Sequence, residues 1–378
     1  MRAIKEIILF CEQGDANQIK TWSNVPYFLK KNLEAKGIVV HAVDLGFEGT
    51  LEKVLNKIYY LIFFKAMKKV QYQYINSPIY LLLAKKKISA AIKKYENADA
   101  LLFTTFSQSA AGMSKKPTIL FCDWTIEYYI NYYLNRPPGV FERMAIKHQD
   151  EVIENADLVL PLFPVVASLM QKKYKNSNIF YNGNVINSLK APDVNSIPNK
   201  SGQHNLLFVG NKKYIAGAVE LVDVFIKLKT ELTGLKLDII GLTEAEVGIS
   251  AAGVTYHGYL DKGIKRQADQ YYDLLTNASV FINTTPKWGA FSASLEAMYF
   301  YTPVIITPYD EFTATFGKEI NFGGYYKQPD ILLELIKKTL DTQFHPDLCL
   351  KAHEAAKAHT WTKYVDQMIQ QIEDVATG

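Results

Sequence analysis

The sequence predicts an α/β fold made of two doubly wound, Rossmann-like domains. The chain has 378 residues, enough for two domains that each bury a core. Short, continuously apolar runs alternate with longer helical patterns, as is typical of parallel strands covered on both faces. This alternation stops once, in a polar stretch, and then starts again. Two successive alternations indicate two domains of similar size.

The first alternation fills the region 1–186, which we assign to the N-terminal domain. Helical patterns such as VPYFLKKNLEAKG separate its strands, and this one ends at Gly37, a residue that favours helix C-termini. Six strands are expected, at residues 6–11, 38–45, 100–105, 117–123, 158–162 and 178–182.

Residues 187–204 are rich in Pro, Ser, Asn and Lys and have no apolar periodicity, which predicts a linker between the domains. The region 205–359 then forms the second domain. In doubly wound sheets, ligands bind beyond the carboxyl ends of the strands, so two facing domains would form an interdomain cleft for the ligand. Five strands are expected here, at residues 205–211, 235–241, 254–260, 279–285 and 303–308.

The composition is that of a globular protein, with 48% hydrophobic and 21% charged residues. No apolar run is long enough to span a membrane. The first strand begins within a few residues of Met1, so no signal peptide is expected. Three scattered cysteines and seven unclustered histidines predict reduced thiols in a cytoplasmic protein without a metal site.

The charge is unevenly distributed. Ten lysines and no Asp or Glu lie between Lys53 and Tyr95, interleaved with Tyr, Phe, Ile and Leu. One interpretation is contact with an anionic membrane surface. The other is a solvated helix face whose lysine stems cover apolar neighbours. Nucleic acid is not an expected partner, because the rest of the chain has no recognisable binding module.

A single carboxylate, Glu296, lies in the apolar segment GAFSASLEAMYFYTPVIIT, residues 289–307. The preceding strand ends in a polar loop, and free N–H groups at the helix start after it would suit an anion. Glu296 has two interpretations. It is an acid in the first helical turn, favoured by the helix dipole, or a buried carboxylate that holds a ligand diol.

This segment resembles the nucleotide-sugar motif of the retaining family-4 glycosyltransferases, which have two facing Rossmann-like domains of the GT-B type. LLFVGN and AGAVELVDVFIKL are similar to the first strand and helix of the donor domain in that family. TWSNVP and TILFCDWT resemble signatures of one subgroup. The last residues, TWTKYVDQMIQQIEDV, resemble the C-terminal helix that returns to the first domain. The resemblance therefore implies that 360–378 completes the N-terminal domain.

The resemblance implies transfer of a sugar from a nucleoside-diphosphate donor to a carbohydrate or lipid-linked hydroxyl, with retention, in polysaccharide or glycolipid assembly. No metal or other cofactor is expected, since helix-start amides and lysines can stabilise the diphosphate. Lys212 and Lys213 either supply that charge or are solvated lysines after a strand. The implied donor-binding residues are Glu296, Phe291, Ser292, Ala293, Asn211 and Gly14.

The chain departs from the family pattern at three positions. Trp288 stands where the family has an acid, and this Trp either stacks on a sugar or packs in the fold. Asn211 and Ala216 stand at the positions of a basic pair. These differences keep open a second hypothesis, a binding or scaffold protein that no longer catalyses transfer. A nicotinamide-dependent oxidoreductase is not expected, because CEQGDANQ lacks the glycine-rich fingerprint.

The first domain is expected to bring the acceptor. Gly14 either lets the backbone approach the donor or is an ordinary turn glycine. Asp123 ends a strand and either orients a hydroxyl, acts as a weak base, or caps the next helix. The residues expected to line the acceptor pocket are Trp22, Ser23, Thr125 and Trp288.

Overall fold

A computed structural model shows two compact units, each built around its own parallel sheet. The first unit comprises Met1–Asn184 and Trp361–Gly378, and the second comprises Val185–Thr360. The structure describes residues 3–12, 14–46, 50–67, 70–286, 291–328 and 331–377.

The first unit has five parallel strands: β1 (Glu6–Cys11), β2 (Val39–Asp44), β3 (Ala100–Phe103), β4 (Thr118–Cys122) and β5 (Leu158–Pro161). Its helices are α1 (Val25–Ala35), α2 (Thr50–Tyr59), α3 (Pro78–Lys94), α4 (Ile126–Tyr128), α5 (Val140–Glu154) and α6 (Pro164–Lys173). Two π-helical segments, Tyr60–Ala66 and Tyr129–Tyr133, directly continue α2 and α4.

The strand order in this sheet is β2-β1-β3-β4-β5. The order reverses between β1 and β3, which is the switch point where ligands bind in such sheets. The central strands carry apolar residues on both faces because helices cover both sides. Phe10 of β1 and Phe103 of β3 are fully buried, and their rings stack at 4.6 Å.

The second unit has six parallel strands: β6 (Asn205–Val209), β7 (Lys236–Ile240), β8 (Val254–Gly258), β9 (Val280–Asn283), β10 (Val304–Ile306) and β11 (Gly323–Tyr325). Its helices are α7 (Ile197–Ser201), α8 (Ile215–Leu228), α9 (Glu244–Val247), α10 (Lys265–Asn277), α11 (Ser292–Tyr299), α12 (Asp310–Phe316), α13 (Leu332–Leu340) and α14 (His345–Ala356). A final helix, α15 (Trp361–Thr377), belongs to the first unit.

The second sheet has the order β11-β10-β9-β6-β7-β8, with its switch point between β6 and β9. Beyond β6 and β7 the backbones approach closely. A Cβ atom on Gly241 would lie 2.3 Å from the carbonyl oxygen of Gly210, and Gly241 has a φ of +93°. Only glycine fits there, so the ends of these two strands are held tightly together.

One predicted strand is absent and one observed strand was not predicted. Residues 178–182 form a single bridge, between Ile179 and Val159, because the segment is too irregular to pair further. Strand β11 was not predicted, since three residues with two glycines carry no strand pattern. The segment 187–204, predicted as a linker, lies in the second unit and contains the helix α7.

Lys200 of α7 is fully buried and holds several elements of the second unit together. Its Nζ donates hydrogen bonds to the carbonyl oxygens of Leu275 (3.0 Å) and Phe300 (2.6 Å) and to Oγ1 of Thr302 (2.7 Å). Burial lowers the pKa of Lys200 to about 7. The amino group therefore acts as a structural donor that joins α7 to α10 and to the end of α11.

We expect Lys200→Ala to lower the free energy of unfolding by roughly 2–5 kcal/mol, because it leaves three buried acceptors without a donor and creates a cavity. The matched control is Lys265→Ala on α10, whose side chain is 92% exposed; its effect should stay within about 0.5 kcal/mol. Urea unfolding followed by circular dichroism measures both. Equal midpoints for the two variants would contradict the structural role of Lys200.

Candidate functional site

In the first unit, polar side chains gather at the carboxyl ends of β1, β3 and β4. Glu12 directly follows β1, Thr105 follows β3 by two residues, and Asp123 directly follows β4. Oγ1 of Thr105 donates to Oε1 of Glu12 at 3.0 Å, and the hydroxyl of Tyr80 donates to the carbonyl of Glu12 at 2.7 Å. Sequence reasoning missed Glu12, although an acid placed directly after a buried first strand was a usable signal.

Both acids lie in surroundings that disfavour their charge. Burial raises the pKa of Glu12 to about 7, opposed only by the hydrogen bond from Thr105. Burial also raises the pKa of Asp123, although the N–H of Trp124 (2.8 Å) and the side chain of Trp22 donate to its carboxylate. The site thus offers two carboxyl groups at the switch point of the first sheet, one of which changes charge near neutral pH.

Asp123 does not cap the helix that follows it, so that alternative was wrong. The cap is Thr125, whose Oγ1 accepts the N–H of Tyr128 at 3.1 Å. No helix start therefore depends on Asp123. The carboxylate of Asp123 lies at the end of β4. Thr125 is buried and uses its hydroxyl for capping; its place in an acceptor pocket stays a prediction.

Gly14 lies in the loop after β1 and has a φ of +88°, so it is a turn glycine at the switch point. Its N–H donates to Oδ1 of Asp44 at 3.1 Å, which ties the loop to the end of β2. A Cβ atom at this position would lie 3.0 Å from the side chain of Thr21. The donor-binding role predicted for Gly14 stays a prediction.

The same loop contains three consecutive residues with positive φ: Trp22 (35°), Ser23 (54°) and Asn24 (73°). Residues other than glycine rarely adopt this conformation, and such strain concentrates at functional sites. The ring of Trp22 packs edge-on against Phe121 at 5.9 Å, whereas Ser23 is exposed. The strained turn is thereby held beside Asp123, where the sequence predicts the acceptor pocket.

In the second unit, Glu296 is only 3% exposed and lies in the second turn of α11. Its interpretation as an acid in the first helical turn was therefore wrong. Nζ of Lys262 contacts both carboxylate oxygens, at 2.7 and 2.8 Å, and the Tyr271 hydroxyl donates to Oε2 at 2.7 Å. Lys262 also donates to the carbonyl of Asn187. The buried carboxylate thus has partners within the chain.

Glu296, Lys262 and Tyr271 form a buried charged cluster. Burial is the largest cause of the pKa shifts of Lys262 and Tyr271. Burial lowers the pKa of Lys262, and Glu296 opposes that shift. The pKa of Tyr271 is raised well above its usual range by burial and by the nearby Glu296 carboxylate. Tyr271 therefore stays protonated and remains a donor to that carboxylate.

The loops after β6 and β9 meet at the switch point of the second sheet. A Cβ atom on Gly217, in the first turn of α8, would lie 2.5 Å from Oγ1 of Thr285, so only glycine permits this approach. Thr285 is 8% exposed, and its Oγ1 has no hydrogen-bond partner among the described residues. A buried hydroxyl of this kind calls for a partner.

Helix α11 follows β9 and begins without a side-chain cap. The ring of Phe291 is fully buried and packs against Phe312 at 5.6 Å, so only its backbone could contact a ligand. Ser292 and Ala293 are half-buried. The amides of this first turn lie within the described residues, directly after residues 287–290, which the structure does not describe. Trp288 lies outside the described residues.

The three residues predicted in the loop after β6 are exposed. Asn211 caps a short 3-10 helix by accepting the N–H of Lys213 at 3.0 Å. Nζ of Lys212 lies 3.0 Å from Oε1 of Glu246, and its side chain is 77% exposed. The Lys212 side chain can therefore change orientation, and the catalytic role of both lysines stays a prediction.

Within the described ranges, no group of three or more His, Cys, Asp and Glu side chains is arranged so that it could hold a metal ion. None of the helices in the described part of the chain combines the length and the apolar character needed to cross a membrane.

Comparison with known proteins identifies the fold. No family model matches the chain. The chloroplastic digalactosyldiacylglycerol synthase 1 of Lotus japonicus is 24% identical over 228 residues, which is 58% of this chain but only 28% of that protein. Sucrose-phosphate synthase from Thermosynechococcus elongatus has a similar structure, with a TM-score of 0.68 at 15% identity over 99% of both chains.

The Anabaena protein HepE, whose structure contains UDP and glucose, is similar with a TM-score of 0.61 at 11% identity. This similarity covers 98% of the present chain and 99% of HepE. The comparisons confirm the predicted fold class, two parallel-sheet α/β domains of the GT-B type, and the resemblance at the level of the fold. The assignment to family 4 stays a prediction.

The raised pKa of Glu12 makes stability depend on pH. Because the folded chain holds this proton more tightly than the unfolded chain, its contribution is fully present below about pH 4.5 and is lost as the pH rises through about 7. Glu12→Gln should therefore raise the free energy of unfolding at about pH 8, by up to roughly 3 kcal/mol, and change it little near pH 4.5.

Thermal melting of wild type and variant at the two pH values measures this difference. The exposed Glu151 on α5 provides the control, since Glu151→Gln should shift melting equally at both values. A Glu12→Gln variant that melts below wild type at about pH 8 would show that the ionised carboxylate stabilises the fold.

Proposed function

We propose that this chain is a glycosyltransferase that moves a sugar from a nucleoside-diphosphate donor to a hydroxyl acceptor. The observation that carries the proposal is the carboxyl edge of the second sheet. There the buried Thr285 hydroxyl, which has no hydrogen-bond partner among the described residues, and the start of α11, which has no side-chain cap within the same residues, adjoin the β6–β9 switch point. The comparisons support the proposal, since they include a digalactosyldiacylglycerol synthase and a protein of similar fold whose structure contains UDP and glucose.

In this proposal the diphosphate binds at the β6–β9 edge. The amides of Phe291, Ser292 and Ala293 face its oxygens at the positive end of α11, and the Thr285 hydroxyl donates to it. Asn211 lies in the neighbouring loop. Lys212 or Lys213 then supplies the positive charge, and Lys212 can leave Glu246 because that pair is exposed and weak.

Glu296 is assigned to the ribose of the donor. A carboxylate offers about four acceptor positions, of which the internal donors use three: one bond from Lys262 to each oxygen and one from Tyr271 to Oε2. A ribose hydroxyl can donate to the remaining position on Oε1. The ion pair with Lys262 then fixes the carboxylate for the ligand, as a supporting contact does for a binding group.

For the acceptor we assign the carboxyl edge of the first sheet. Glu12, ionised above about pH 7, accepts the proton of the attacking hydroxyl, and Asp123 orients that hydroxyl. A bond forms between the acceptor oxygen and the anomeric carbon, while the bond from that carbon to the diphosphate breaks. Trp22, Ser23 and Thr125 line the pocket, and Gly14 lets the loop backbone approach the donor.

We further propose retention at the anomeric carbon and catalysis without a metal, since amides and lysines can carry the charge of the leaving diphosphate. The acceptor is a carbohydrate or lipid-linked hydroxyl in polysaccharide or glycolipid assembly. The protein would act in the cytoplasm at the anionic inner face of the membrane.

A second function, nucleotide binding without transfer, is favoured by one observation. The two positions where the resembling family has a basic pair are occupied by Asn211, which caps a 3-10 helix, and by Ala216, so neither supplies positive charge to the diphosphate. Binding without turnover of any donor would select this function over the enzyme.

Calorimetry with UDP, GDP, dTDP, CMP and NAD tests the donor site. We expect one nucleoside diphosphate to bind wild type and to lose roughly 1–3 kcal/mol of binding free energy in Glu296→Gln, because a charged acceptor becomes neutral. Glu296→Ala is a poor test, since it leaves the buried Lys262 unpaired and endangers the fold. The double change Lys262→Met with Glu296→Leu removes both charges together and should bind no nucleotide.

The control is Tyr271→Phe, which removes an internal donor to the same carboxylate without touching the free position on Oε1. It should change nucleotide affinity less than threefold. Equal binding by wild type and Glu296→Gln would limit Glu296 to a structural role. The fold would then be the only remaining support for the glycosyltransferase proposal.

Turnover tests mechanism. With the donor whose nucleotide binds and a panel of glycoside acceptors, nuclear magnetic resonance of the product should show the anomeric configuration of the donor. A chelator should leave the rate unchanged. Glu12→Gln should lower the rate at least tenfold above pH 7 while changing donor affinity little. An inverted product would refute retention, and a rate lost on chelation would refute metal independence.

A further inference from the structure

One helical segment of the first unit, α2 with its π-helical continuation up to Ala66, is firmly attached along its inner face. Tyr59 and Phe63 lie on this face. Phe63 is 9% exposed and packs with Tyr72 and Phe141 at ring distances of 5.0 Å. Tyr59 packs against Tyr74 at 5.7 Å. The inner face of the segment is therefore part of a small aromatic core and is not available to a partner.

The opposite face presents apolar side chains to the outside. Four residues spaced as i, i+4, i+7 and i+8 form one stripe along the helix, as expected for one face of a helical rod. A single exposed aliphatic side chain needs no explanation. A continuous stripe of them does, because such a stripe indicates an interaction surface. The exposures are 46% for Val54, 42% for Ile58, 49% for Leu61 and 47% for Ile62.

Exposed lysines flank this stripe. Lys53, Lys57 and Lys65 lie on the same segment, and all three are exposed. The neighbouring α3 adds more of both kinds, with Ile79 56% and Leu82 59% exposed and with Lys85 and Lys86 also exposed. No Asp or Glu occurs anywhere in 53–95, so nothing in this stretch neutralises the positive charge.

We propose that this surface, the outer face of residues 53–67 together with the exposed residues of α3, docks onto a bilayer that contains anionic lipids. The stripe enters the boundary between headgroups and acyl chains, and the lysines contact the headgroup phosphates. Charge complementarity selects this occupant. An apolar protein groove would accept the aliphatic stripe but would leave the exposed Lys53, Lys57, Lys65, Lys85 and Lys86 without anionic partners, whereas an anionic bilayer uses both features.

The segment is built for lying on the membrane. Tyr60 stacks on Phe64 at 5.0 Å, and Nζ of Lys65 lies 6.0 Å from the Tyr60 ring. Aromatic rings and lysine stems at the border of an apolar stripe are typical of interfacial helices. The idea that a lipid-linked acceptor is met at this surface rests on the proposed function. The idea that the surface docks onto a membrane does not.

Co-sedimentation of the full chain with vesicles tests the proposal. Vesicles of phosphatidylcholine with about 30% phosphatidylglycerol should bind the protein at least tenfold more tightly than phosphatidylcholine alone, and added salt should weaken that binding. The double change Leu61→Asp with Ile62→Asp should reduce binding at least tenfold. Its matched control is Ile226→Asp with Leu350→Asp, at 43% and 49% exposure in the second unit, which should bind like wild type.

A second pair of variants tests the charge. Lys57→Gln with Lys65→Gln should weaken binding to anionic vesicles several-fold, while Lys265→Gln with Lys351→Gln removes the same charge elsewhere and should have little effect. Circular dichroism and melting of each variant check that the fold persists.

Three outcomes would overturn the proposal. One is that wild type does not bind anionic vesicles. Another is that the variant carrying two aspartates binds as well as its control. The third is that an oligonucleotide binds wild type and loses affinity with the lysine changes but not with the aspartates, which would assign the lysines to nucleic acid. Because no donor or acceptor is present, failure here leaves the glycosyltransferase proposal untouched.

Discussion

Parallel strands covered by helices on both faces leave polar side chains few places where they can be solvated or bind a ligand. In both sheets of this protein the central strands are almost entirely apolar, so the polar groups are displaced to the strand ends. Glu12, Asp123 and Thr285 all follow strands at a carboxyl end. The location of the candidate site is thus a consequence of how the sheets are buried, and the chemistry of the site depends on which side chains stand at those few positions.

The buried charges show how differently such groups can be used. Among the described residues Lys200 has no carboxylate partner and donates to neutral oxygens; burial lowers its pKa to about 7, and the residue serves the fold. Lys262 has a carboxylate partner, Glu296, which opposes the effect of burial on its pKa. A buried ion pair adds little net stability compared with apolar packing. The pair is therefore easier to understand as a means of orienting Glu296, which lies in the helix that follows β9, than as reinforcement of the core.

Most of the fold could be predicted because buried parallel strands appear in the sequence as largely apolar runs. The ten described strands other than β11 were all predicted, although β2, β7 and β8 each contain polar residues within the run. The short strand β11 could not be predicted, because its pairing depends on the neighbouring β10 and not on its own residues. At the site, Glu296 was found as an isolated acid, but its partners were not, since Lys262 and Tyr271 are distant in sequence. Glu12 was missed because the prediction for the loop after β1 was based on Gly14.

The strained turn at Trp22, Ser23 and Asn24 links these arguments. Three successive left-handed residues are costly, and a loop free to relax would not keep them. Here the turn is fixed at both ends. At one end the side chain of Trp22 contacts Phe121 and donates to Asp123. At the other end Asn24, the residue directly before α1, donates from its side chain to the carbonyl oxygen of Ile19. Asparagine is among the residues that tolerate this conformation best. The contacts of Trp22 with Phe121 and Asp123 therefore hold the strained turn beside the Asp123 carboxylate.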